Sequence, residues 1–366
     1  MCFDDVDKYG LKAPRDLTRQ VWVGGVAVGG GADVAVQSML TAKTDEPAKA
    51  LAQIEALAEA GCEIIRVAIP ARAALAGFRE ICEASLLPVV ADIHFDYRLA
   101  VEACRLGAAK LRINPGNIGD LDMVDAIIDA AGEAGIPIRI GVNAGSLDKG
   151  IAEQAELSLA EKLAASAVLY TDHFNERGFY DIVVSAKAHD VPSTVQAYRL
   201  LSREIPQVPL HLGITEAGTY LQGTVKSAAG IGALLLDGIG DTLRVSLTAD
   251  PLDEIDVAWE ILAAVGLRRR HPELVSCPTC GRCEVDLISI ANAVDQRLSE
   301  IDLPLKIAVM GCVVNGPGEA READVGVACG RGKAAVFSRG KILYTVDESQ
   351  IIDALFEEIE RFVSTG

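Results

Sequence analysis

The sequence predicts an α/β protein in which a (β/α)8 TIM barrel precedes a smaller α+β domain. Two observations lead to this prediction. Short apolar strands alternate with helical segments eight times between about residues 33 and 267, and the composition and the spacing of elements change after that point. We therefore expect a barrel domain over residues 1–267 and a second domain over residues 268–366.

The first region contains eight segments with the length and apolar content of buried strands. They read ADVAVQSML, CEIIRVAIP, LPVVADIHF, AKLRINPG, IPIRIGVNAG, DIVVSAKAH, PLHLGITEAG and DTLRVSLTAD. Amphipathic helical stretches such as EPAKALAQIEALAEAG and LDMVDAIIDAAGEAG separate them. Strict alternation implies a parallel sheet, and eight such units have the size of a closed barrel. A doubly wound open sheet is the alternative.

A glycine-rich segment, RQVWVGGVAVGGG, precedes the first barrel strand. It predicts a strand and a turn. A strand rather than a helix follows Gly29 to Gly31, so the segment does not have the context of a dinucleotide-binding fingerprint.

The second region begins after RRRHPELV, at residues 268–275. Its pattern predicts a helix in EVDLISIANAVDQRLSEI, a strand in LKIAVMGC, short strands around AAVFSRGKILYTV and a final helix in ESQIIDALFEEIERFV. This mixture indicates a separate α+β domain.

Composition and charge narrow the classes of function. The 366 residues are 50% hydrophobic, no apolar run reaches membrane-spanning length, and the acidic start MCFDDVDKYG does not resemble a signal peptide, so we expect a cytoplasmic protein. The net charge of −18 argues against nucleic acid or anionic membrane as a partner. Nine cysteines, an odd number, make a disulfide framework improbable in that compartment.

Polar and cationic side chains recur near the carboxyl ends of the predicted barrel strands. Residues two apart on a strand share a face. Arg66 lies on the second strand, and later strands carry the pairs Asp92 and His94, Arg112 and Asn114, Arg139 and Asn143, Ser185 and Lys187, His211 and Thr215, Arg244 and Ser246. Barrel enzymes build their active sites at this end of the barrel.

The five cations in this set, Arg66, Arg112, Arg139, Lys187 and Arg244, would repel one another inside a barrel unless an anion lay among them. Arginine matches the geometry of phosphate oxygens, so a phosphate-bearing substrate is the simplest anion. Alternatively, the arginines pair internally with Asp92 and Glu216 or point outward. His94 or His211 alone would more often be structural than catalytic.

Four cysteines cluster between residues 277 and 312. Cys277 and Cys280 have the C-x2-C spacing of metal or cluster ligands, and Cys312 follows in the glycine-rich run GCVVNGPGEA together with Glu319. Three thiolates and a carboxylate would hold an iron–sulfur cluster with one exchangeable oxygen ligand. A closed structural zinc site that includes Cys283 is the alternative. The C-x3-C-x2-C spacing of radical SAM enzymes is absent from the sequence.

These motifs together resemble the bacterial (E)-4-hydroxy-3-methylbut-2-enyl diphosphate synthase family, in its short two-domain form. The motifs VQSM, VADIHFDYRLA, LRINPGNIG, IPIRIGVNAGSL, LHLGITEAG, GIGDTLRVSLTADP, CPTCGR and GCVVNGPGEA occur in the family's order and cover nearly the whole chain. The loop MLTAKTDEP departs from the family's usual wording, which leaves its substrate contacts open.

The resemblance implies a two-electron reductive ring opening of 2-C-methyl-D-erythritol 2,4-cyclodiphosphate, with loss of water, in the non-mevalonate isoprenoid pathway. It implies a [4Fe-4S] cluster held by Cys277, Cys280 and Cys312, with Glu319 on the fourth iron. Cys283 is then a bystander or a competitor of Glu319. Diphosphate binding falls to Arg66, Arg112, Asn114, Arg139, Asn143, Ser185, Lys187, His211, Arg244 and Ser246. Asp92, His94 and Glu216 are the candidates for proton transfer and hydroxyl positioning.

The resemblance also implies a flavodoxin or ferredoxin as the electron donor and a head-to-tail homodimer. Two other functions stay open at this point. One is a hydro-lyase that uses an open iron without reductant, and the other is a barrel, of pterin-binding type for instance, whose second domain is only structural and zinc-bound.

Overall fold

The computed structural model describes residues 13–312 and 322–365. The chain divides into two compact units, Met1–Arg268 and Arg269–Gly366. Glu319 lies outside the described residues.

The first unit is built on a parallel sheet of eight strands. In the order of the chain these are β3 (Ala35–Met39), β4 (Ile64–Ala68), β5 (Val89–Asp92), β6 (Lys110–Ile113), β7 (Ile138–Asn143), β8 (Ile182–Lys187), β9 (His211–Leu212) and β10 (Thr242–Leu243). The sheet order is β8-β7-β6-β5-β4-β3-β10-β9, and a parallel bridge between Val184 and Leu210 joins β8 to β9. The sheet therefore closes on itself, which confirms the predicted barrel and excludes the open sheet.

Helices follow every barrel strand, as the periodicity predicted. They are α1 (Pro47–Glu59), α2 (Leu75–Ala84), α3 (Tyr97–Arg105), α4 (Pro115–Ile118), α5 (Leu121–Ala134), α6 (Lys149–Ala152), α7 (Leu159–Glu176), α8 (Val191–Glu204), α9 (Tyr220–Leu236) and α10 (Pro251–Ala264). Several begin at a side-chain cap: Ser158 and Glu161 form a reciprocal capping box at α7, and the Asp250 carboxylate accepts a hydrogen bond from the Leu252 amide at α10.

The glycine-rich segment before the barrel forms a hairpin of two strands, β1 (Val21–Val23) and β2 (Val26–Val28), joined by a turn. The sequence predicted one strand and a turn in this segment. Its valines pack against the inward residues at the amino ends of four barrel strands, Ala35, Ile64, Val90 and Val183. The hairpin thus fills the bottom of the barrel with apolar side chains, and the polar interior lies above it.

The second unit contains a mixed five-stranded sheet in the order β11 (Glu273–Ser276), β12 (Lys306–Met310), β13 (Val325–Gly330), β14 (Lys333–Ser338) and β15 (Lys341–Asp347). The first three strands are parallel and the last two pairings are antiparallel. Two helices, α11 (Leu287–Leu298) and α12 (Ile351–Thr365), complete the α+β fold that the sequence predicted. Strands β11 and β13 were not among the predicted elements.

Over residues 13–312 and 322–365, every helix is too short or too polar to span a bilayer.

Candidate active site

A cavity of about 200 Å³ opens at the carboxyl ends of the barrel strands. It is lined by eleven of the residues singled out in the sequence: Arg66, Asp92, His94, Arg112, Arg139, Asn143, Ser185, Lys187, Thr215, Arg244 and Ser246, together with Met39 and Ile214. The two-residue strand period brings them to one face, and equal depth on neighbouring strands brings them together. Arg112, for example, lies beside both Asp92 and Arg139 in the sheet. The five predicted cations all point inward.

Asp92 is the carboxylate among these cations. It is 1% exposed, and its Oδ1 accepts a hydrogen bond from Nη1 of Arg112 at 3.1 Å, while Nε of Arg66 lies 3.9 Å from its Oδ2. Nε2 of His94 is 3.1 Å from the same Oδ2. Burial alone would raise the pKa of Asp92, but Arg66, His94 and Arg112 outweigh burial and hold that pKa well below its usual range. Asp92 is therefore ionised and orients two of the arginines.

Arg139 and Lys187 have far less compensation. Arg139 is 1% exposed; its Nη1 donates to Oγ of Ser185 at 3.4 Å, and its Nε and Nη2 have no hydrogen-bond partner within the described residues. Lys187 forms no ion pair with any described residue. Burial lowers the pKa of Lys187 well below its ordinary value, and Arg139 and Arg66 lower it further. These donors are available to an anion in the cavity.

Two residues that the sequence analysis did not single out hold Arg244 and Arg66. Nη2 of Arg244 lies 3.3 Å from both carboxylate oxygens of Glu254, which is 5% exposed on the first turn of α10. Nε of Arg66 lies 3.2 Å from Sδ of Met39, at the end of β3. The sequence analysis named Asp92 and Glu216 as alternative internal partners of the arginines. Asp92 does pair with Arg66 and Arg112, whereas Glu216 forms no ion pair with a described residue. The acid beside Arg244 is Glu254. An acid in the first turn of the helix that follows a barrel strand is the sequence signal that could have identified Glu254.

Two small residues make room for the cations. A Cβ atom on Gly141 would lie 2.8 Å from Nε of Arg112, and one on Gly213 would lie 2.5 Å from Nζ of Lys187. Contacts this close do not occur between real atoms, so the two cations occupy space that only glycine leaves open.

Three of the predicted site residues do not line the cavity. Asn114 caps α4, accepting from the Gly116 amide at 3.1 Å and donating to the carbonyl of Ser146. His211 is fully buried, and neither ring nitrogen has a hydrogen-bond partner within the described residues. Glu216 is exposed and adopts a left-handed backbone with φ of 53°. Strain of this kind in a residue other than glycine is frequent at functional sites.

Two cysteines of the second unit, Cys277 and Cys283, lie near Gly311, directly after β12. The backbone N–H of Gly311 donates to Sγ of Cys277 at 3.1 Å, and a Cβ atom on Gly311 would lie 2.7 Å from Sγ of Cys283 and 3.6 Å from Sγ of Cys277. Cys280 is exposed, and Cys312 follows Gly311 directly. No group of three potential ligands is assembled within the described residues. Soft thiols and an N–H···S hydrogen bond nevertheless have the chemistry that iron–sulfur clusters require.

A closed (β/α)8 barrel with five cations converging on a small cavity at its carboxyl end is typical of enzymes that bind phosphorylated ligands. Comparison with known proteins agrees with that class. The GcpE TIM-barrel domain matches residues 18–259, and the GcpE protein C-terminal domain matches residues 273–361. The chain belongs to the GcpE family.

Curated relatives extend the similarity over nearly the whole length. The 4-hydroxy-3-methylbut-2-en-1-yl diphosphate synthase (flavodoxin) of Geobacter sulfurreducens is 53% identical over 347 residues, covering 95% of this chain and 98% of that protein. The protein of the same name from Bacillus subtilis is 50% identical over 94% of this chain and 92% of its own length. That of Geobacillus thermodenitrificans is 50% identical over 95% and 92%.

Proposed function

We propose that the protein is a 4-hydroxy-3-methylbut-2-enyl diphosphate synthase of the non-mevalonate isoprenoid pathway. It would convert 2-C-methyl-D-erythritol 2,4-cyclodiphosphate, two electrons and a proton into the open-chain diphosphate and water. The observation that carries the proposal is the cavity itself, where the five cations form ion pairs with Asp92 and Glu254 alone among the residues that the structure describes. A dianionic ligand supplies charge that this cavity lacks.

The roles of the barrel residues follow from their geometry. The free N–H groups of Arg139 and the ammonium of Lys187 would bind the phosphate oxygens, with Ser185, Asn143 and Ser246 as neutral donors that line the same cavity. Ring opening adds one negative charge to the diphosphate, because the leaving phosphate oxygen keeps its electron pair. The cations therefore stabilise the charge that develops as the ring opens.

Cys277, Cys280 and Cys312 would hold a [4Fe-4S] cluster, with Glu319 as an oxygen ligand on the fourth iron. When bound, such a cluster supplies single electrons and an open coordination position. The Gly311 amide supports this assignment, since it donates to the Cys277 sulfur as amides do to thiolate ligands. Cys283 would be a neighbour of the site and not a ligand.

Proton transfer is assigned to residues at the rim of the cavity. His94 is half-exposed and bonded through Nε2 to Asp92, so it can exchange protons with solvent while Asp92 fixes the ring. Glu216, on the loop after β9, would position a substrate hydroxyl. Asn114 and His211 would act on the diphosphate indirectly, since each lies behind the cavity wall.

We further propose a cytoplasmic head-to-tail homodimer that receives its electrons from flavodoxin. The names of the relatives favour flavodoxin over ferredoxin. In such a dimer the barrel of one subunit and the cluster domain of the other would together form each active site.

The decisive experiment is an anaerobic assay of the purified protein with the cyclic diphosphate, with and without a strong reductant. We expect the open-chain diphosphate only when reductant is present. Equal turnover without reductant would identify a non-redox hydro-lyase. Zinc in place of iron in anaerobically purified protein would contradict the reductive function.

Mixing two inactive variants tests the shared site. At a substrate concentration far below the Kd of Lys187→Met, that variant is nearly inactive through its barrel, and Cys277→Ser is inactive through its cluster domain. In a head-to-tail dimer each mixed pair then retains one intact site. After subunit exchange we expect about a quarter of wild-type activity. No recovery, with mixed dimers verified by mass, would place each active site within a single chain.

A further inference from the structure

A sixth cation, Lys110, lies in the barrel beneath the cavity. It begins β6, two residues before Arg112 and on the same inward face, roughly 6.6 Å back along the strand toward the bottom of the barrel. Lys110 is fully buried, it does not line the cavity, and its Nζ has no hydrogen-bond partner within the described residues. Its lateral neighbour in the sheet is Val90, one of the apolar residues that close the barrel floor.

The charged groups around Lys110 are unfavourable to it. Among the described residues, the charged groups that act on Lys110 are the cations Arg139 and Arg66, and His211 lies close enough to be affected by Lys110. The buried acids of the cavity, Asp92 and Glu254, pair with Arg112 and Arg244 instead. A buried cation without a counter-ion destabilises a fold, and an apolar side chain of equal size would not. Packing alone therefore does not account for a lysine here.

We propose that Lys110 strengthens the binding of the diphosphate through space, as a buried positive charge below the cavity. This inference rests on the proposed function, because it takes the anion to be a diphosphate. Lys110 is a positioning residue in this account, since Arg139 and Arg112 stand between it and the ligand. Its effect grows as the ring opens and the ligand gains a negative charge.

Binding should be coupled to proton uptake. Burial lowers the pKa of Lys110 well below its ordinary value, and the nearby Arg139 and Arg66 lower it further. Burial and the same two arginines also lower the pKa of Lys187. An anion in the cavity raises both pKa values again and so favours the protonated form of both lysines when it binds.

The test compares wild type with Lys110→Met, which keeps the volume and removes the charge. Inorganic pyrophosphate is titrated into the cluster-containing protein by calorimetry in two buffers of different ionisation enthalpy, and unfolding is followed in urea. We expect Lys110→Met to be at least as stable as wild type, to bind pyrophosphate about tenfold more weakly, and to take up fewer protons on binding. Lys49→Met, the same change on the exposed surface of α1, should alter neither binding nor uptake.

Each outcome decides a separate point. Equal affinity and equal proton uptake in wild type and Lys110→Met would overturn the inference and leave the proposed function intact. Failure of wild type to bind pyrophosphate would instead contradict the proposed function. If Lys110→Met does not fold, Lys110→Gln is measured in the same way, and unchanged affinity in a folded Lys110→Gln would assign the lysine a structural role.

Discussion

Nη2 of Arg244 lies 3.3 Å from both carboxylate oxygens of Glu254, and Oε1 of Glu254 also accepts a hydrogen bond from the Leu247 amide at 2.9 Å. One buried acid on α10 thus fixes a cation of the cavity and the loop that follows the last barrel strand. Helix and strand come from adjacent parts of the chain, so the eighth β/α unit builds its own corner of the site.

Glu254→Gln should therefore lower both stability and activity. The amide keeps the shape but leaves the buried Arg244 without a counter-charge, so we expect a loss of about 2 kcal/mol in the free energy of unfolding and about a tenfold fall in kcat/KM. Urea unfolding and steady-state kinetics measure the two effects. Glu55→Gln, on the exposed side of α1, is the matched control and should change stability by less than about 0.5 kcal/mol. Normal kinetics in Glu254→Gln would mean that Arg244 needs no partner.

Neutralising the uncompensated cations should weaken ligand binding without weakening the fold. Arg139→Met and Lys187→Met remove buried charges that form no ion pair with any residue the structure describes, so stability should be unchanged or higher. Pyrophosphate affinity should fall by about 1.5 to 3 kcal/mol for each, as expected for charge-assisted hydrogen bonds. Calorimetric titration beside urea unfolding separates the two quantities. Destabilised variants with unchanged affinity would mean that the cations are structural.

The barrel and most of the residues that line its cavity were predictable from the sequence, because both follow from the regular spacing of side chains along strands and helices. Eight apolar segments that alternate with helices predict a closed parallel sheet. The two-residue strand period places Arg112 and Asp92 on its inward face. Depth along the barrel does not follow from that period. Lys110 and Arg112 share the inward face of β6, and Asn114 follows two residues later, just past the strand. Yet Lys110 is below the cavity, Arg112 lines it, and Asn114 caps the next helix.

Ion-pair partners that lie on a different secondary-structure element also could not be predicted from the sequence. The Arg244 partner is on a helix, and no strand period relates Glu254 to the cavity. Strands β11 and β13 were missed for a different reason. ELVS is a short, partly exposed strand and VGVACG is a buried one, and neither alternates clearly enough between apolar and polar residues to be distinguished from loop sequence. Only pairing in the sheet defines them.

Gly141→Ala should displace Arg112 from Asp92. The added Cβ atom would lie 2.8 Å from Nε of Arg112 and 3.1 Å from its Nη2, so the guanidinium must move. We expect a loss of about 1 to 3 kcal/mol in stability and weaker pyrophosphate binding. Gly132→Ala, within α5 and with nothing within 4 Å of its Cβ position, should instead stabilise the protein by about 0.5 to 1 kcal/mol. A Gly141→Ala protein that binds as tightly as wild type would show that Arg112 can shift freely.

Asp241 should make stability depend on pH between about 4 and 6. Burial raises the pKa of Asp241 to about 6, although the Leu210 amide and the Thr18 hydroxyl donate to its carboxylate at 2.7 and 2.9 Å. A folded-state pKa above the unfolded value means that the group stabilises the fold at low pH, and that this contribution is lost as pH rises through 6. The stability difference between wild type and Asp241→Asn should shift in favour of wild type by about 1 kcal/mol from pH 7.5 to pH 5. A difference that is constant, or that shifts the other way, would contradict the raised pKa.

The two cysteine sulfurs near Gly311 should respond differently to substitution. Sγ of Cys277 accepts the Gly311 amide at 3.1 Å, as a thiolate ligand would, whereas Sγ of Cys283 donates to the carbonyl of Val285 at 3.3 Å, as a free thiol does. Cys277→Ser should therefore lose the iron, and Cys283→Ser should retain it, with iron and sulfide per chain and visible absorbance measured after anaerobic purification.

Glu319→Ala should keep or weaken the cluster and abolish turnover, because the carboxylate is proposed to hold the exchangeable position. Loss of iron from Cys283→Ser would make Cys283 a ligand, and Glu319 would then no longer be needed to complete the site.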